Sequence, residues 1–304
     1  MSEYVLETTN LTKTYSHRKA IDEINLKIRK GDIYGFIGKN GAGKTTTIKI
    51  AAGLVNPSSG SLKLFDSDNL SYGRKKIGVV IENPAFYPYM SARQNIEIQR
   101  IMKGISDKKV TDEILNIVGL SNTKNKQVKK FSLGMKQRLG IGLALLGNPE
   151  FLILDEPING LDPMGIKEVR DLIIKLNKEA NITVLISSHI LGELSKMCTA
   201  YGVISEGKLV SQITREELDE LTGKRINLKV NNPEKALEIL NLKFGISNVN
   251  VNGNNIYIDD SIEHLSDLSK VLEKEDIIIQ SISKSEENYE DYLINLMKGE
   301  KIND

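Results

Sequence analysis

The stretch GKNGAGKT at residues 38–45 decides the fold of this 304-residue chain. Its three glycines let the backbone turn tightly, so that main-chain N–H groups can point at phosphate oxygens without side chains in the way. It follows the apolar run IYGFIG (33–38) and precedes TTTIKIAAG, which predicts a strand before the loop and a helix after it. The N-terminus of that helix would add a positive end to the site. The alternative is a glycine-rich turn with a chance lysine, which this strand and helix context disfavours.

The residues of this phosphate loop have distinct predicted roles. Lys44 is expected to reach the β- and γ-phosphates of ATP, and the Thr45 hydroxyl is expected to bind Mg²⁺. The main chain of the loop is expected to surround the phosphates. The predicted nucleotide contacts in this part of the chain are Gly38, Asn40, Gly41, Gly43, Lys44, Thr45 and Thr46.

A pair of acids closes another apolar run, FLILDEP (151–157). We expect this run to be a buried parallel strand, and ligands bind at the C-terminal ends of such strands in open α/β sheets. Asp155 is predicted to hold Mg²⁺, and Glu156 to polarise the water that attacks the γ-phosphate. An acid pair that ends a strand can also serve as a helix N-cap or a turn. The phosphate loop upstream favours the catalytic interpretation.

Up to about residue 220 the chain alternates short apolar runs with helical segments, which predicts a parallel α/β core. The strand candidates are residues 33–38, 76–81, 151–155 and 182–187. Such continuous runs of Ile, Val, Leu and Phe suit strands that are covered on both faces. Between about residues 84 and 147 the pattern becomes helical, starting from a capping box at Ser91. We therefore predict a helical insertion in the α/β domain.

The chain after residue 222 predicts a second domain. RINLKV, PEKALEIL, ISNVNV, NIYIDD, IEHLSDLSKVL and DIIIQSIS read in order as βαββαβ, and the helix ENYEDYLINLMKG follows. That order is the split βαβ pattern. The expected organisation is a nucleotide-binding domain at residues 1–222 and a small α+β domain at residues 223–304.

Composition and charge restrict the remaining function classes. With 41 basic and 40 acidic side chains the net charge is +1, which gives no reason to expect nucleic acid as a direct partner.

Cys198 is the only cysteine, so an internal disulfide is excluded, and we expect it to be a buried apolar residue. No run approaches the roughly 18 apolar residues of a membrane span, and the start MSEYVLETTN does not resemble a signal peptide. His17 and His264 match no motif and are expected at the surface.

The run FSLGMKQRLGIGLALL (131–146), followed by NPEFLILDEPINGLDP (148–163), resembles the signature helix, Walker B strand and D-loop of the ABC-type ATPases. Other phosphate-loop families lack this signature helix. The resemblance covers residues 4 to about 220, with the motifs in the family's order and spacing. It implies a P-loop NTPase domain of the ABC type with a helical insertion, and an ATPase that uses ATP and Mg²⁺.

The resemblance also implies site residues outside the phosphate loop. Tyr15 resembles the aromatic residue that stacks on adenine, and His189 resembles the switch histidine that contacts the γ-phosphate. Ser132 and Gly134 resemble the signature residues that bind the γ-phosphate of an ATP held by the partner subunit. Asp162 resembles the D-loop acid at the subunit interface. Without the family context, Tyr15 would be an ordinary strand residue and His189 a surface residue.

The signature is the first of two departures from the family pattern. The usual Leu-Ser-Gly-Gly-Gln is replaced by FSLGM at residues 131–135. Ser132 and Gly134, which touch phosphate in the family, are kept, so we expect the site to be competent. Met135 replaces the polar last residue, which changes the finer contacts at the subunit interface.

The second departure lies in VIENPAFYP (80–88), where Glu82 stands in place of the family's glutamine, which touches Mg²⁺ and the attacking water. A carboxylate keeps the oxygen ligand that a hard cation prefers, so Glu82 is predicted to bind the metal. An acid at this position resembles the transporters that protect bacteria from bacitracin and from lantibiotic peptides, and the stretch NYEDYLINLMKGE resembles the tail of the bacitracin type. The alternative is a neutral replacement in a generic export ATPase.

The resemblance implies protein partners, because a complete ATP site in this family pairs the phosphate loop of one subunit with the signature of another. We expect a head-to-tail homodimer joined to separate transmembrane permease subunits, at the cytoplasmic face of the membrane. The aromatic run FYPY (86–89) is expected to receive a short helix of the membrane subunit, with core packing as the alternative. An import ATPase shares every catalytic motif and is the main rival. A soluble ABC protein of ribosomes or DNA, or a small-molecule kinase, fits the motif set less well.

Overall fold

A computed structural model gives the structure of the chain and describes residues 3–82, 84–222, 224–246, 249–259, 265–286 and 289–298. The chain divides into two compact units. The first unit contains the residues up to Thr214 together with those from Asn295 onward, and the second unit is Arg215–Ile294.

This division differs from the predicted boundary after residue 222. The helix Arg215–Thr222 belongs to the second unit, where Asp219 accepts a hydrogen bond from the Tyr289 hydroxyl. The Arg215 guanidinium lies 4.3 Å from the centre of the same ring. The boundary between the units therefore lies before this helix, at Arg215, because the helix contacts the second unit. The change in composition comes only after the helix.

The first unit contains an antiparallel sheet and a larger, mostly parallel sheet. Its strands are β1 (Tyr4–Tyr15), β2 (Arg18–Ile24), β3 (Lys27–Arg29), β4 (Ile33–Ile37), β5 (Ser59–Leu64), β6 (Ile77–Val80), β7 (Phe151–Asp155), β8 (Thr183–Ser188), β9 (Ala200–Ser205) and β10 (Lys208–Thr214). Strand β1 pairs antiparallel with β2, β3 and β5. The larger sheet has the order β10-β9-β4-β8-β7-β6, in which only β10 runs antiparallel to its neighbour.

The predicted parallel core is confirmed. Every residue of β4, β7 and β8 is buried, as expected for strands that are covered on both faces. The antiparallel sheet was not predicted. It depends on the pairing of β1 with β5, and these strands lie far apart in the chain.

A hydrophobic core joins the two sheets of the first unit to the helix that follows the phosphate loop. It contains Leu6 and Leu64 of the antiparallel sheet, Phe36 and Phe151 of the parallel sheet, and Ile48 of that helix. These five side chains are almost completely buried. The phosphate loop is therefore held between a rigid strand and a helix that is anchored in the core.

The helices of the first unit include three that form the predicted helical insertion. In chain order they are α1 (Lys44–Ala51), α2 (Leu70–Arg74), α3 (Ala92–Met102), α4 (Lys109–Ile117), α5 (Leu133–Leu145), α6 (Pro163–Ala180) and α7 (Leu191–Leu194). The capping box predicted at Ser91 is present, because the Ser91 hydroxyl accepts from the Gln94 N–H and the Gln94 side chain accepts from the Ser91 N–H. Such a cap contributes roughly 1 kcal/mol to helix stability.

The second unit confirms the predicted split βαβ order. Its elements are α8 (Arg215–Thr222), β11 (Lys224–Val230), α9 (Pro233–Phe244), β12 (Val249–Asn252), β13 (Asn255–Asp259), α10 (Leu265–Lys274), β14 (Ile279–Glu286) and α11 (Tyr289–Lys298). The strands form an antiparallel sheet of order β12-β13-β11-β14. Helices α9 and α10 contribute buried side chains such as Leu240 and Leu272 to one core with the strands. Helix α11 starts in the second unit, and its last residues belong to the first.

Two further expectations are confirmed, since Cys198 is buried and His17 is exposed. His264 lies outside the described residues. Within the ranges that the structure describes, no helix is long and apolar enough to cross a membrane.

An ion pair within α3 is joined to α4 by a hydrogen bond. The buried Arg100 donates to both carboxylate oxygens of Glu97, at 2.9 and 2.6 Å, and the Thr111 hydroxyl donates to the same carboxylate at 2.9 Å. Arg100 also donates to the Ile105 carbonyl, which closes the turn after α3. The Arg100 and Thr111 hydrogen bonds lower the pKa of Glu97 from its ordinary 4.5 to about 2.

We predict that Glu97→Gln destabilises the chain in a pH-dependent way. Because the folded state lowers the pKa of Glu97, its ionised form stabilises the fold above about pH 4.5, and this contribution is lost as the pH falls towards 2. Thermal unfolding of the variant should therefore occur at a lower temperature at neutral pH, with a gap that narrows below pH 4.5. The matched control is Glu113→Gln on the exposed side of α4. A gap that stays constant with pH would contradict this role for the ionised carboxylate.

Candidate active site

The site lies where neighbouring parallel strands end. In the registers of the sheet, Ile37 at the end of β4 pairs with Ser188, and Asp155 at the end of β7 pairs with Ser187. The phosphate loop follows β4, and His189 directly follows β8. The predicted loop, acid pair and histidine therefore meet at one edge of the sheet, which is the ligand-binding edge of open α/β folds.

The phosphate loop needs glycine at two positions for steric reasons. A Cβ at Gly38 would lie 2.5 Å from the Ile204 carbonyl oxygen, because the start of the loop passes directly over β9. Gly43 has a φ of 116°, which side-chain-bearing residues rarely adopt, and a Cβ there would lie 2.8 Å from the Ala20 oxygen. Glycine at these two positions lets the loop pack closely against the sheet. A larger residue at either position would push the loop away from it.

The N-terminus of α1 presents main-chain donors to the loop. Its first intrahelical hydrogen bond runs from the Thr47 N–H to the Gly43 carbonyl, and Gly43 offers no side-chain cap. The N–H groups of Lys44, Thr45 and Thr46 therefore have no acceptor within the helix, which suits an anion. A cavity of about 160 Å³ lies against these residues and is lined also by Lys39, Asn40, Gly41 and Glu156.

The Lys44 side chain is held inside the loop. Its ammonium group donates to the Gly38 carbonyl at 2.5 Å and lies 3.3 Å from Glu156 Oε1, with only 5% of the side chain exposed. Burial of a cation is costly unless its donors are satisfied, so the loop carbonyl and the carboxylate stabilise it in place. The predicted phosphate-binding lysine is thus fixed at the cavity wall.

Asp155 connects the phosphate loop to the next strand. Its carboxylate is 1% exposed and accepts from the Thr45 hydroxyl at 2.8 Å and from the Ser187 hydroxyl at 2.5 Å. Oxygen atoms of this kind are the ligands that Mg²⁺ prefers. Thr45 and Asp155, the predicted metal residues, therefore lie together and could hold such an ion, either directly or through water.

Sequence reasoning missed Ser187. Besides donating to Asp155, its hydroxyl accepts the Glu156 N–H at 2.9 Å, and so it fixes both acids of the pair. A serine within an apolar strand was the only available signal. Its role depends on the register of β7 against β8, which no local pattern reveals.

Glu156 lies between two candidate cations. Oε1 is 3.3 Å from the Lys44 ammonium, and Oε2 is 2.9 Å from Nδ1 of His189. The Glu156 backbone has a φ of 50°, an uncommon conformation for a residue other than glycine, and its N–H is held by Ser187. With Nδ1 donating to the carboxylate, Nε2 of His189 is left for another partner. A carboxylate oriented in this way suits a general base.

Tyr15 stands at the end of β1, directly opposite Arg18 of β2. Its ring is 47% exposed, and the Lys13 ammonium lies 5.1 Å from the ring centre. An exposed aromatic face of this kind could stack on a nucleotide base. The predicted adenine contact stays a prediction.

The signature residues and Asp162 lie at helix starts, where Ser132 and Asp162 are exposed and Gly134 is buried. Ser132 caps α5 by accepting the Met135 N–H at 3.2 Å, and Asp162 caps α6 by accepting the Gly165 N–H at 3.1 Å. The two helices lie close together at Gly134, where a Cβ would be in van der Waals contact with the Gly165 Cα at 3.4 Å. The structure brings these three predicted residues together, and within the described part of the chain they make no hydrogen bond with the phosphate loop.

Glu82 has a different partner from the one predicted. Its carboxylate lies 3.2 Å from the Lys49 ammonium of α1, and the side chain is 65% exposed. Among the described residues it makes no hydrogen bond or ion pair with Thr45 or Asp155. Its predicted role as a metal ligand therefore stays a prediction, and binding a metal would require the carboxylate to exchange Lys49 for the ion.

Comparison with known proteins shows the family of this chain. The sequence model described as "ABC transporter" matches residues 21–159, which include the phosphate loop and the acid pair. The chain is 43% identical over 300 residues to the bacitracin transport ATP-binding protein BcrA of Bacillus licheniformis, covering 97% of this chain and 98% of that protein. It is 43% identical over 225 residues to the lantibiotic transport ATP-binding protein SrtF of Streptococcus pyogenes, covering 73% of this chain and 97% of that protein.

A solved structure shows the same fold. A dimeric ATP-binding cassette in a post-hydrolysis state, bound to ADP and Pi, superposes with a TM-score of 0.62 at 26% identity. The match covers 69% of this chain and 98% of that one. The chain therefore shares the fold of ATP-binding cassettes, and the cavity at the phosphate loop is its candidate nucleotide site.

We predict that Glu156→Gln binds ATP but loses hydrolysis by about 100-fold or more, because an amide keeps the shape of the side chain and cannot accept the proton of the attacking water. Nucleotide binding at equilibrium and phosphate release are the two measurements. Glu168→Gln is the matched control, since Glu168 is 43% exposed and pairs with Arg138 of α5, outside the phosphate loop. Turnover within about threefold of wild type would remove Glu156 from the role of base.

Proposed function

This chain belongs to the ABC transporter family of ATP-binding proteins, and we propose that its ATP hydrolysis powers the export or removal of a peptide antibiotic of the bacitracin or lantibiotic type. The observation that carries the proposal is the match to a bacitracin transport ATP-binding protein along nearly the whole chain, second unit included. The match to the lantibiotic transport protein supports the same substrate class. An exporter or importer of an unrelated substrate is the alternative.

The proposed chemistry follows from the residues at the loop. Lys44 and the N–H groups at the start of α1 bind the phosphates, and Glu156, oriented by His189 and the Ser187 contact, accepts a proton from the attacking water. Thr45 and Asp155 would hold Mg²⁺, which would neutralise charge on the β- and γ-phosphates. His189 Nε2 is available for the γ-phosphate.

The proposed assembly is a head-to-tail homodimer in which each ATP lies between two chains. The N-terminus of α5, capped by Ser132, is exposed and can bind the γ-phosphate of the partner's nucleotide. Apolar side chains flank it, with Leu133 40% and Met164 66% exposed. Exposed apolar groups beside a helix N-terminus suit an interface that closes on an anion. The solved dimeric cassette with the same fold supports this arrangement.

The proposed membrane partner docks on the loop that follows β6. Pro84, Phe86 and Pro88 line a groove of about 410 Å³ together with residues of α5, and Tyr89 at the tip of the loop is 70% exposed. The exposure of Tyr89, and of Tyr87 at 47%, supports docking over core packing. Separate transmembrane subunits would seat a short helix here, which places the chain at the cytoplasmic face of the membrane. Nucleic acid is not proposed as a partner.

Glu82 is the proposed link between the ATP site and this docking loop. It pairs with Lys49 on α1, one turn of helix beyond Thr45, and Pro84 packs directly over α5. A change at the phosphates can therefore reach the loop through α1. A carboxylate that exchanges Lys49 for Mg²⁺ would make the position of the loop depend on the nucleotide state.

The substrate class is tested in a sensitive Gram-positive host. We predict that this chain, expressed with the membrane protein encoded beside it, protects against bacitracin or a lantibiotic, and that Glu156→Gln abolishes protection at equal expression. The measurement is growth inhibition across a panel of these peptides. Protection in the Glu156→Gln strain would contradict ATP-driven removal. Absence of protection against the whole panel, with both proteins present, would favour the unrelated-substrate alternative.

The coupling role of Glu82 has its own test. Glu82→Gln should hydrolyse ATP within about threefold of wild type but lower the resistance of cells, because the amide cannot form the charged contacts of the carboxylate. Lys49→Gln is the matched control, since it breaks the same ion pair and leaves the carboxylate available to a metal. Unchanged resistance in Glu82→Gln would show that the acid is incidental, and equal losses in both variants would assign the effect to the ion pair.

A further inference from the structure

A second cavity, of about 780 Å³, adjoins the phosphate cavity. The two share Ala20, Lys39, Asn40 and Gly41 in their linings. Lys44, Thr45 and Glu156 line only the smaller one, which is therefore the phosphate end. The larger cavity is the space into which the nucleoside part of ATP can extend, and Arg18, the strand partner of Tyr15, lies in its wall.

The last described residues of the chain contribute to this larger cavity. Met297 lines it, although the chain has passed through the whole of the second unit before it reaches this residue. The Met297 carbonyl accepts a hydrogen bond from the Ser205 hydroxyl at 3.1 Å. Residues 294–297 are half-buried. The end of α11 is thus packed at the nucleotide site of the first unit.

Main-chain hydrogen bonds connect this contact to the phosphate loop. Ser205 ends β9 and also lines the cavity, and the turn after it brings Gly207 to the loop. The Gly207 N–H donates to the Ala42 carbonyl at 3.0 Å, and the Asp22 N–H donates to the Gly207 carbonyl at 2.8 Å. Met297, the β9–β10 turn and the phosphate loop therefore form one hydrogen-bonded group around the cavity.

We propose that the C-terminal segment, residues 295–297, contributes Met297 to the wall of the ATP site and that Met297 contacts the nucleoside part of the bound nucleotide. The methionine side chain is apolar and flexible, so it can adapt to the flat face of a base. Ala20 and Val210 add apolar surface to the same cavity. Since coupling is reciprocal, ATP binding and docking of the segment stabilise each other. The inference rests on ATP binding alone and is independent of the transported substrate.

The first test compares nucleotide affinities of full-length variants by displacement of a fluorescent ATP analogue. Met297→Ala should weaken ATP binding about threefold to tenfold, in keeping with loss of a partly buried side chain, and Met297→Leu should restore most of the affinity. Met102→Ala is the matched control, because Met102 is 70% exposed on α3. Wild-type affinity in Met297→Ala would overturn the proposal, and so would tighter binding, which would mean that the segment obstructs the cavity.

The same variants separate a nucleoside contact from a general disturbance of the phosphate loop. Displacement by inorganic tripolyphosphate, which lacks base and ribose, should be equal in wild type and Met297→Ala. An equal loss for ATP and for tripolyphosphate would overturn the direct contact.

A fluorescence measurement provides a second test if Met297→Ala does not fold. The chain contains no tryptophan, so Met297→Trp introduces a single indole at the cavity wall. Its emission should change on ATP addition, with a midpoint equal to the dissociation constant measured by displacement. Met102→Trp should show no such change. An ATP-insensitive signal from Met297→Trp in a folded protein that binds ATP would overturn the proposal.

Discussion

The buried carboxylate of Asp155 is the constraint on which the rest of the site depends. Moving an ionised carboxylate out of water costs several kcal/mol unless hydrogen bonds replace its hydration. Asp155 receives them from Thr45 at the start of α1 and from Ser187 on β8. The helix after the phosphate loop and two strands of the sheet must therefore keep their relative positions. A shift of the loop would take the Thr45 donor away from a carboxylate that is only 1% exposed.

The same network positions the proposed base. The Ser187 hydroxyl that donates to Asp155 accepts the N–H of Glu156, and this contact supports a left-handed backbone at Glu156. Such a conformation costs on the order of 1 kcal/mol for a residue with a side chain and persists where the surroundings over-determine it. In this backbone conformation the Glu156 carboxylate lies between Lys44 and His189. The geometry of the proposed base thus depends on the same serine that holds the buried acid beside it.

Much of this site could be predicted, because its parts are contiguous in sequence. The loop at residues 38–45 has its own steric requirements, and Asp155 and Glu156 end an apolar run whose burial is plain from composition. The split βαβ order of the second unit was equally readable from alternating apolar patterns. In these cases the interaction that decides the structure lies within a few residues.

The partners of these residues could not be predicted, because they depend on distant pairings. Ser187 meets Asp155 only through the register of β7 against β8. Glu82 has a carboxylate suited to a metal, yet in the structure it faces Lys49 of α1. The antiparallel sheet was not predicted for the same reason, because the phosphate loop and α1 separate β1 from its partner β5 in the chain. Charge and composition indicate what a side chain can bind, and only the fold decides which of the possible partners is near.

The end of the chain shows how such distant pairings change the meaning of a domain boundary. Composition marks residue 222 as the point where a second sheet begins, whereas contacts place α8 in the second unit and residues from Asn295 onward in the first. The second unit is therefore an insertion in the chain of the first, and it is covalently connected to that unit at both ends. The residues that return to the first unit carry a contact that composition did not indicate, because the Met297 carbonyl accepts from the Ser205 hydroxyl beside the larger cavity.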